Sequence, residues 1–419
     1  MKKKTSMMPI LPALRSRNYQ LFFAGQGLSL IGTWMTQVAT IWLVYSLTNS
    51  AWLLGVVGFA GQIPSFILTP FGGVIVDRFP RHRLLIATQI LAMIQSLALA
   101  FIALTGIINI WQIIVLSVFQ GVINAVDAPA RQAFVPEIVE KKEDLANAIA
   151  LNSSMFNGAR LIGPAIGGLL VASVGAGYCF LIDGISYIAV IIALLAMKLE
   201  PSKIKVSNKH PWKTLKEGFA YTFGFPPIRY IIMLLALVSF MGMQYTVLVP
   251  IFATNILHGG AETLGFLMAA SGVGALIGAV HLSTRPSILG LGKLIAFAPA
   301  LMGIGLIGFA LSRVLVISLL MMLLVGLGFI LQFTSSNTVV QTIVEDDKRG
   351  RVMSIYTMAF FGVVPLGNLL AGSLASRIGA PNTLIIAGSF CILGSILFSK
   401  QLPKLRDIIR PIYTKIGII

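Results

Sequence analysis

Charge is scarce in this sequence. Of its 419 residues only 11% are charged, and acidic residues number 14 against 31 Lys and Arg. A water-soluble domain carries about a quarter charged residues, so water is excluded as the main solvent of this chain. Cysteine is nearly absent. Cys179 and Cys391 both lie in apolar runs, which argues against a disulfide framework or a cysteine metal site. The four His are scattered and form no nucleophile–base cluster, so an intramembrane enzyme is disfavoured. No Gly-x-x-x-x-Gly-Lys-Ser/Thr run occurs, which excludes ATP as the direct fuel. Neither a cofactor nor a metal is expected. Met7 to Leu14 is too short and too Pro-interrupted for a signal-peptide core, and no cleavable segment is expected there.

Apolar length is abundant. Hydrophobic residues make up 57% of the chain, and its mean hydropathy is +0.90. A hydrocarbon core about 30 Å thick is crossed by about 20 apolar residues in a helix. Runs of that length predict six spans over Leu21–Val44, Trp52–Val76, Leu84–Leu104, Ile110–Ala128, Ser153–Val174 and Gly177–Met197. Six more are predicted over Ile228–Phe252, Leu264–Leu282, Leu294–Leu311, Leu315–Thr334, Met353–Leu374 and Thr383–Phe398. The fold class is thus an all-α membrane protein with about twelve transmembrane helices. The longest polar stretch, Glu200 to Trp212, follows the sixth span and reads as a linker, with a short amphipathic surface helix behind it from Trp212 to Tyr221. The division is an N-terminal six-helix half (1–200), a linker (201–225) and a C-terminal six-helix half with its tail (226–419).

The formal charge of +17 is compatible with a nucleic-acid partner, but its distribution points to a bilayer. Basic residues collect in the N-tail (Lys2, Lys3, Lys4, Arg15, Arg17) and in the C-tail (Lys400, Lys404, Arg406, Arg410, Lys415). They also fill every second loop: Arg78/Arg81/Arg83, Lys141/Lys142, Lys198 to Lys216, Arg285/Lys293 and Lys348/Arg349/Arg351. The alternate loops contribute only Arg313 and Arg377. Positive residues stay on the cytoplasmic side, so both termini are expected in the cytoplasm of a bacterial inner membrane protein. Nucleic acid is not expected as a partner.

The two halves repeat each other. Gly163-Pro-Ala-Ile-Gly-Gly-Leu-Leu-Val-Ala-Ser-Val-Gly175 aligns with Gly367-Asn-Leu-Leu-Ala-Gly-Ser-Leu-Ala-Ser-Arg-Ile-Gly379, placing Gly163, Gly168 and Gly175 on Gly367, Gly372 and Gly379. Ile138-Val-Glu140 matches Ile343-Val-Glu345, and Ala51-Trp-Leu-Leu-Gly55 matches Ala261-Glu-Thr-Leu-Gly265. Such matches at corresponding spans indicate duplication, the usual plan of secondary transporters with a midplane site.

Between spans two and three stands Gly73-Val-Ile-Val-Asp77-Arg78-Phe-Pro-Arg81-His-Arg83. It resembles the signature loop of the major facilitator superfamily in composition and location, with Pro80 where the family usually has Gly. The resemblance implies a gate at Gly73, Asp77, Arg78 and Arg81. Gly73 would permit close helix approach. Asp77 would cap a helix N-terminus or pair with an arginine when the cytoplasmic side is closed. Plain positive-inside topology is an alternative account of the arginines.

Span five carries Ala159-Arg160-Leu-Ile-Gly163-Pro164-Ala-Ile-Gly167-Gly168. This resembles the antiporter motif found mainly in the exporters of the superfamily, with Ala159 replacing a usual Gly; a simple packing kink at Pro164 is the alternative. Asn124-Ala-Val-Asp127-Ala-Pro129-Ala-Arg131-Gln-Ala-Phe-Val-Pro136, Asn147-Ala-Ile-Ala-Leu-Asn152 and Arg349-Gly-Arg351-Val-Met-Ser354 resemble the branch containing the enterobactin exporter and macrolide-efflux proteins. Family members carry an arginine on span four, three residues before a Gln-Gly pair. Here Ser117 precedes Gln120-Gly121, and coupling through that arginine is not carried over.

Polar residues fall at helical spacing. Span one lines up Gln26, Ser29, Thr33, Thr36, Gln37 and Thr40; span four, Gln120, Asn124, Asp127 and Arg131; span five, Ser153, Asn157 and Arg160. Span seven offers Ser239, Gln244 and Tyr245, and span ten ends in Gln332, Ser335, Ser336, Asn337 and Gln341. The resemblance implies that spans one, four, seven and ten line a cavity, with Gln26, Thr33, Gln37, Gln120, Asn124, Asn157, Gln244, Gln332 and Asn337 as candidate lining. Hydrogen bonds between helices, worth about 0.6 kcal/mol each, are the competing explanation. Asp127, Arg131, Arg160 and Asp183 are candidate coupling residues, because ionisable groups in apolar surroundings are costly. Two pairings compete with that role: Asp127 with Arg131, four residues apart, and Asp183 with Arg160. His281 reads as interfacial.

Together these features predict a secondary exporter of an amphipathic small molecule, siderophore or drug-like, driven by protons and acting as a monomer. A lipid or lysolipid flippase is the rival within the class; a channel or an intramembrane enzyme is the rival outside it.

Overall fold

The computed structural model describes residues 12–199, 211–285 and 287–415; Lys2, Lys3, Lys4, Met7 and the linker stretch 200–210 with Lys205 lie outside the described residues. Among the described residues twelve helices are long and apolar enough to cross a membrane. The first six are α1 (Arg17–Thr48), α2 (Ala51–Arg78), α3 (Arg81–Leu104), α4 (Ile110–Ile138), α5 (Leu145–Val174) and α6 (Ala176–Leu195). A shorter helix, α7 (Pro211–Gly224), precedes the seventh span. That span is composite: α8 (Pro226–Leu237), a π turn at Val238–Gly242, α9 (Tyr245–Ile251) and a second π turn at Phe252–Ile256. Pro250 inside α9 has no N–H to give its helix, and widened turns flank it. The remainder are α10 (Ala261–Ser283), α11 (Leu291–Leu311), α12 (Leu315–Ile343), a span broken into α13 (Asp346–Phe361) and α14 (Val364–Ile378), and α15 (Ala380–Lys415).

Helix ends follow local chemistry. Ser50 accepts a hydrogen bond from the Leu53 amide at 3.3 Å at the start of α2, and Asn109 with Gln112 forms a reciprocal cap on α4. Several helices outrun their apolar cores. α4 runs to Ile138 rather than Ala128, α5 starts at Leu145 rather than Ser153, and α12 reaches Ile343 rather than Thr334. Their polar extensions meet neighbouring helices, so the helical backbone bonding continues past the point where hydropathy falls.

Packing repeats between the halves. α2 packs on α4 and α3 on α6; likewise α10 packs on α12 and α11 on α15. α5 lies against α1, while α14 lies against the composite seventh span. The halves meet mainly where α2 crosses α14 and α5 crosses α10. α7 rests on α13 through Glu217, which pairs with Arg351 at 3.0 Å, and through Tyr221, whose ring lies 4.6 Å from the Lys348 ammonium.

Candidate substrate pathway between the halves

The halves touch through glycines. A Cβ on Gly55 would lie 2.9 Å from the Gly372 Cα and 2.7 Å from the Asn368 carbonyl oxygen. A Cβ on Gly168 would lie 2.7 Å from the Gly265 Cα and 2.6 Å from the Ala261 carbonyl oxygen. Only hydrogen fits there. The repeated fragments of the sequence are therefore two copies of one contact: Gly55 stands to Gly265 as Gly372 stands to Gly168. Both crossings lie towards the side away from the chain ends. The other glycines of the span-five motif serve their own half. A Cβ on Gly163 would lie 2.9 Å from the Ile31 carbonyl oxygen, and one on Gly167 2.9 Å from the Met35 Cα, both on α1. Gly367 meets the Phe240 carbonyl in the matching place. Pro164 is buried in an α5 that runs unbroken, with its carbonyl 2.7 Å from a Cβ on Gly265.

On the chain-end side the helices part. α4 packs on α1, α2, α3 and α5, and α13 on α7, α8, α12 and α14, each within its own half. Asp77 and Arg78 are exposed, and Asp77 has no hydrogen bond or ion pair among the described residues. The helix cap or arginine pair expected of Asp77 is not formed in this conformation. Arg81 binds Glu137 at 2.5 Å, tying α3 to α4. Gly73 lies in open space, and the close approach expected of it is made instead by Gly72 against the Ala125 carbonyl. A cavity of about 500 Å³ on this side is lined by Asn337, Thr338, Gln341, Thr342 and Arg349.

The polar stripe of α1 divides. Gln26 and Ser29 are buried, and Thr36 donates to Asp183 Oδ2 at 3.0 Å. Thr33 is exposed and Gln37 half-buried. α1 is surrounded by α2, α4, α5, α6, α9 and α10, so its exposed positions open between the halves. Elsewhere Gln120 donates to Asn124 Oδ1 at 3.1 Å, Asn157 to the Ser153 carbonyl at 2.8 Å, and Gln332 to Ser336 Oγ at 3.2 Å. Asn337 accepts from Gln341 at 2.5 Å. Gln244 and Gln332 are buried, each with an Oε1 that has no partner among the described residues.

The four ionisable candidates separate into three environments. Asp127 is buried between α3 and α4; Thr88 and Gln89 each donate to its Oδ1 at 2.8 Å, and Arg131 pairs with its Oδ2. Asp183, on α6, accepts Thr36 and Ser96 hydroxyls at 3.0 Å each, and its Oδ1 has no partner among the described residues. Arg160 does not pair with Asp183. Its guanidinium carbon lies 5.8 Å from the Trp34 ring centre and 4.9 Å from that of Phe329. The ion pair is not formed: Asp183 is held by Thr36 of α1 and Ser96 of α3, whereas the Arg160 guanidinium lies between the rings of Trp34 and Phe329.

Sequence reasoning passed over Trp34 and Phe329, which lie in apolar stretches where nothing distinguishes an inward ring from a lipid-facing one. It also missed Asn255, whose amide donates to the Tyr45 hydroxyl across the halves at 2.7 Å, and the buried Asn368, whose side-chain oxygen and nitrogen lack partners among the described residues.

The family described as transmembrane secretion effector matches residues 9–409. The chain is 29% identical over 394 residues to the staphyloferrin A transporter of Staphylococcus aureus, spanning 92% of this chain and 97% of that relative. It is 26% identical to the multidrug efflux pump Tap of Mycolicibacterium fortuitum, over 90% of this chain and 93% of the pump. It is also 26% identical to the enterobactin exporter of Shigella boydii, over 96% and 94% of the two chains. Among solved structures it is similar to a POT family transporter in complex with 5-aminolevulinic acid, with TM-score 0.75, 13% identity and 93% and 97% coverage. It is likewise similar to a bacterial homologue of the human lysosomal transporter Spinster in an inward-facing and occupied conformation, with TM-score 0.71, 15% identity and 93% and 98% coverage. At those identities the structural likeness speaks for the fold alone. The chain belongs to the transmembrane secretion effector family of the major facilitator superfamily, and its role is membrane transport rather than catalysis.

Proposed function

We propose that this transporter exports an amphipathic small molecule, siderophore or drug-like, from the cytoplasm by alternating access. The observation that carries the reading is the pair of glycine crossings, Gly55 with Gly372 and Gly168 with Gly265. They close one side of the molecule while Asp77 and Arg78 stand exposed on the other. With the basic loops and both termini on the cytoplasmic face, this is a state that loads from the cytoplasm. Rocking of the halves would break the glycine crossings and open the far side, as repeat-built transporters do. The names of the similar siderophore and drug transporters support the substrate class.

Asp77 is the proposed lock of the opposite state, when its loop meets the other half. Asp183 is the proposed proton carrier. Its carboxyl is buried, held by two hydroxyls, and keeps one oxygen free to take a proton. Asp127 is already neutralised by Arg131 and reads as structural. The test is efflux from a bacterial host lacking its own pumps, loaded with a panel of siderophores and drug-like dyes. Retention of at least one compound should fall on expression and recover when a protonophore collapses the proton gradient. Unchanged retention of every compound contradicts export.

A further inference from the structure

Arg160 stands at the meeting point of the halves. It lies on α5, Trp34 on α1 and Phe329 on α12, each within two residues of the middle of its helix. Its guanidinium lies over the Trp34 ring of one half and the Phe329 ring of the other. Trp34 is backed edge-on by Phe156 at 5.7 Å, and Phe329 by Phe333 at 6.1 Å and Phe360 at 5.8 Å. Among the described residues nothing accepts a hydrogen bond from this guanidinium and no carboxylate pairs with it. The two acidic residues buried in the spans of the same half are occupied elsewhere, Asp127 by Arg131 and Asp183 by Thr36 and Ser96.

We propose that Arg160 is the recognition point for a carboxylate on the transported molecule, and that Trp34 and Phe329 receive a planar part of the same molecule. A cation at membrane depth is costly, and two ring faces offset only part of that cost. A structural arginine would have its five N–H donors filled; here the fork remains free for the bidentate partner it matches best. Positive charge at the midplane favours an anion there. Because Phe329 belongs to the other half, rocking would part it from Arg160. The site would then loosen as the far side opens, which is the sequence an exporter needs.

This assignment rests on the transport reading above and deepens it by naming the substrate's charge. Its test uses the full-length protein in nanodiscs and two matched probes, 1-naphthoate and 1-naphthylmethylammonium, followed by equilibrium dialysis. Naphthoate should bind saturably and the ammonium probe at least roughly tenfold more weakly, the effect of one charge-assisted bidentate contact. Arg160→Gln should erase that preference and Arg160→Lys should keep part of it. Absence of saturable naphthoate binding, preference for the ammonium probe, or unchanged naphthoate affinity in Arg160→Gln overturns the proposal. Should Arg160→Gln fail to fold, the preference of the wild-type protein between the two probes decides the matter alone. Distances between the halves, measured by paired spin labels on the same samples, report separately on transport. If the halves alternate while naphthoate is ignored, only the anion site falls; if they never alternate, the transport reading falls.

Discussion

Gly168 and Gly265 approach so closely that a Cβ built on either would lie 2.7–2.8 Å from the Cα of the other, and Gly55 with Gly372 repeats the arrangement at 2.8–2.9 Å. The duplicated sequence thus makes one contact twice, about the pseudo-twofold axis that relates the halves. A seal built from bare backbone brings the two helices closer than any side chain would allow. It is also intolerant of any larger residue.

Asp127 is expected to be structural. Asp127→Asn leaves a partly exposed Arg131 without its carboxylate, at a cost of about 1.5–3 kcal/mol. Thermal unfolding in detergent should shift downwards, while any variant that folds should bind substrate with wild-type affinity. Unchanged stability together with lost transport would move Asp127 into the coupling machinery.

Asp183 is expected to behave oppositely. Asp183→Asn keeps an oxygen to accept from Thr36 and Ser96, so stability should change by less than about 1 kcal/mol. Efflux driven by a proton gradient should fall at least roughly tenfold, whereas exchange of substrate across the membrane should persist. Equal loss of both activities would contradict a proton-carrying role.

Asp77 has no partner among the described residues in the conformation seen, so Asp77→Asn should leave this state intact and weaken the alternative one. A lost charge–dipole contact is worth about 0.3–2 kcal/mol, which shifts a balanced equilibrium by up to roughly thirtyfold. Binding from the cytoplasmic side should survive while turnover drops. Wild-type turnover in this variant would reduce the loop to a topology signal.

Sidedness has a direct check. With both native cysteines buried, Lys141→Cys should react with an impermeant reagent applied from the cytoplasm and Thr105→Cys with one applied outside. Labelling of both from one face would contradict the proposed orientation.

Much of the fold was legible because hydropathy reports the length of apolar helix a bilayer demands. The helix ends were not, since α4 and α12 continue through residues that face protein or water rather than lipid. The π turns at Val238–Gly242 and Phe252–Ile256 leave no trace in hydropathy either. Of the pathway, the repeated glycines were visible as a pattern, but a single sequence does not say which neighbour a glycine meets. Gly73 and Gly72 show this: adjacent residues, of which only the second makes the close contact. Arg160 and Asp183 were linked by depth alone, and depth says nothing of direction around a helix.

The most direct test of alternating access through the glycine seal needs no substrate. Spin labels at Glu140 and Gly350 report on the chain-end side, and labels at Ser173 and Ser376 on the far side; all four positions are exposed. In Gly168→Leu, with the far side unable to close, the first distance should shorten and the second lengthen relative to wild type. Distances that stay unchanged, or that move in the same direction on both sides, would contradict the account.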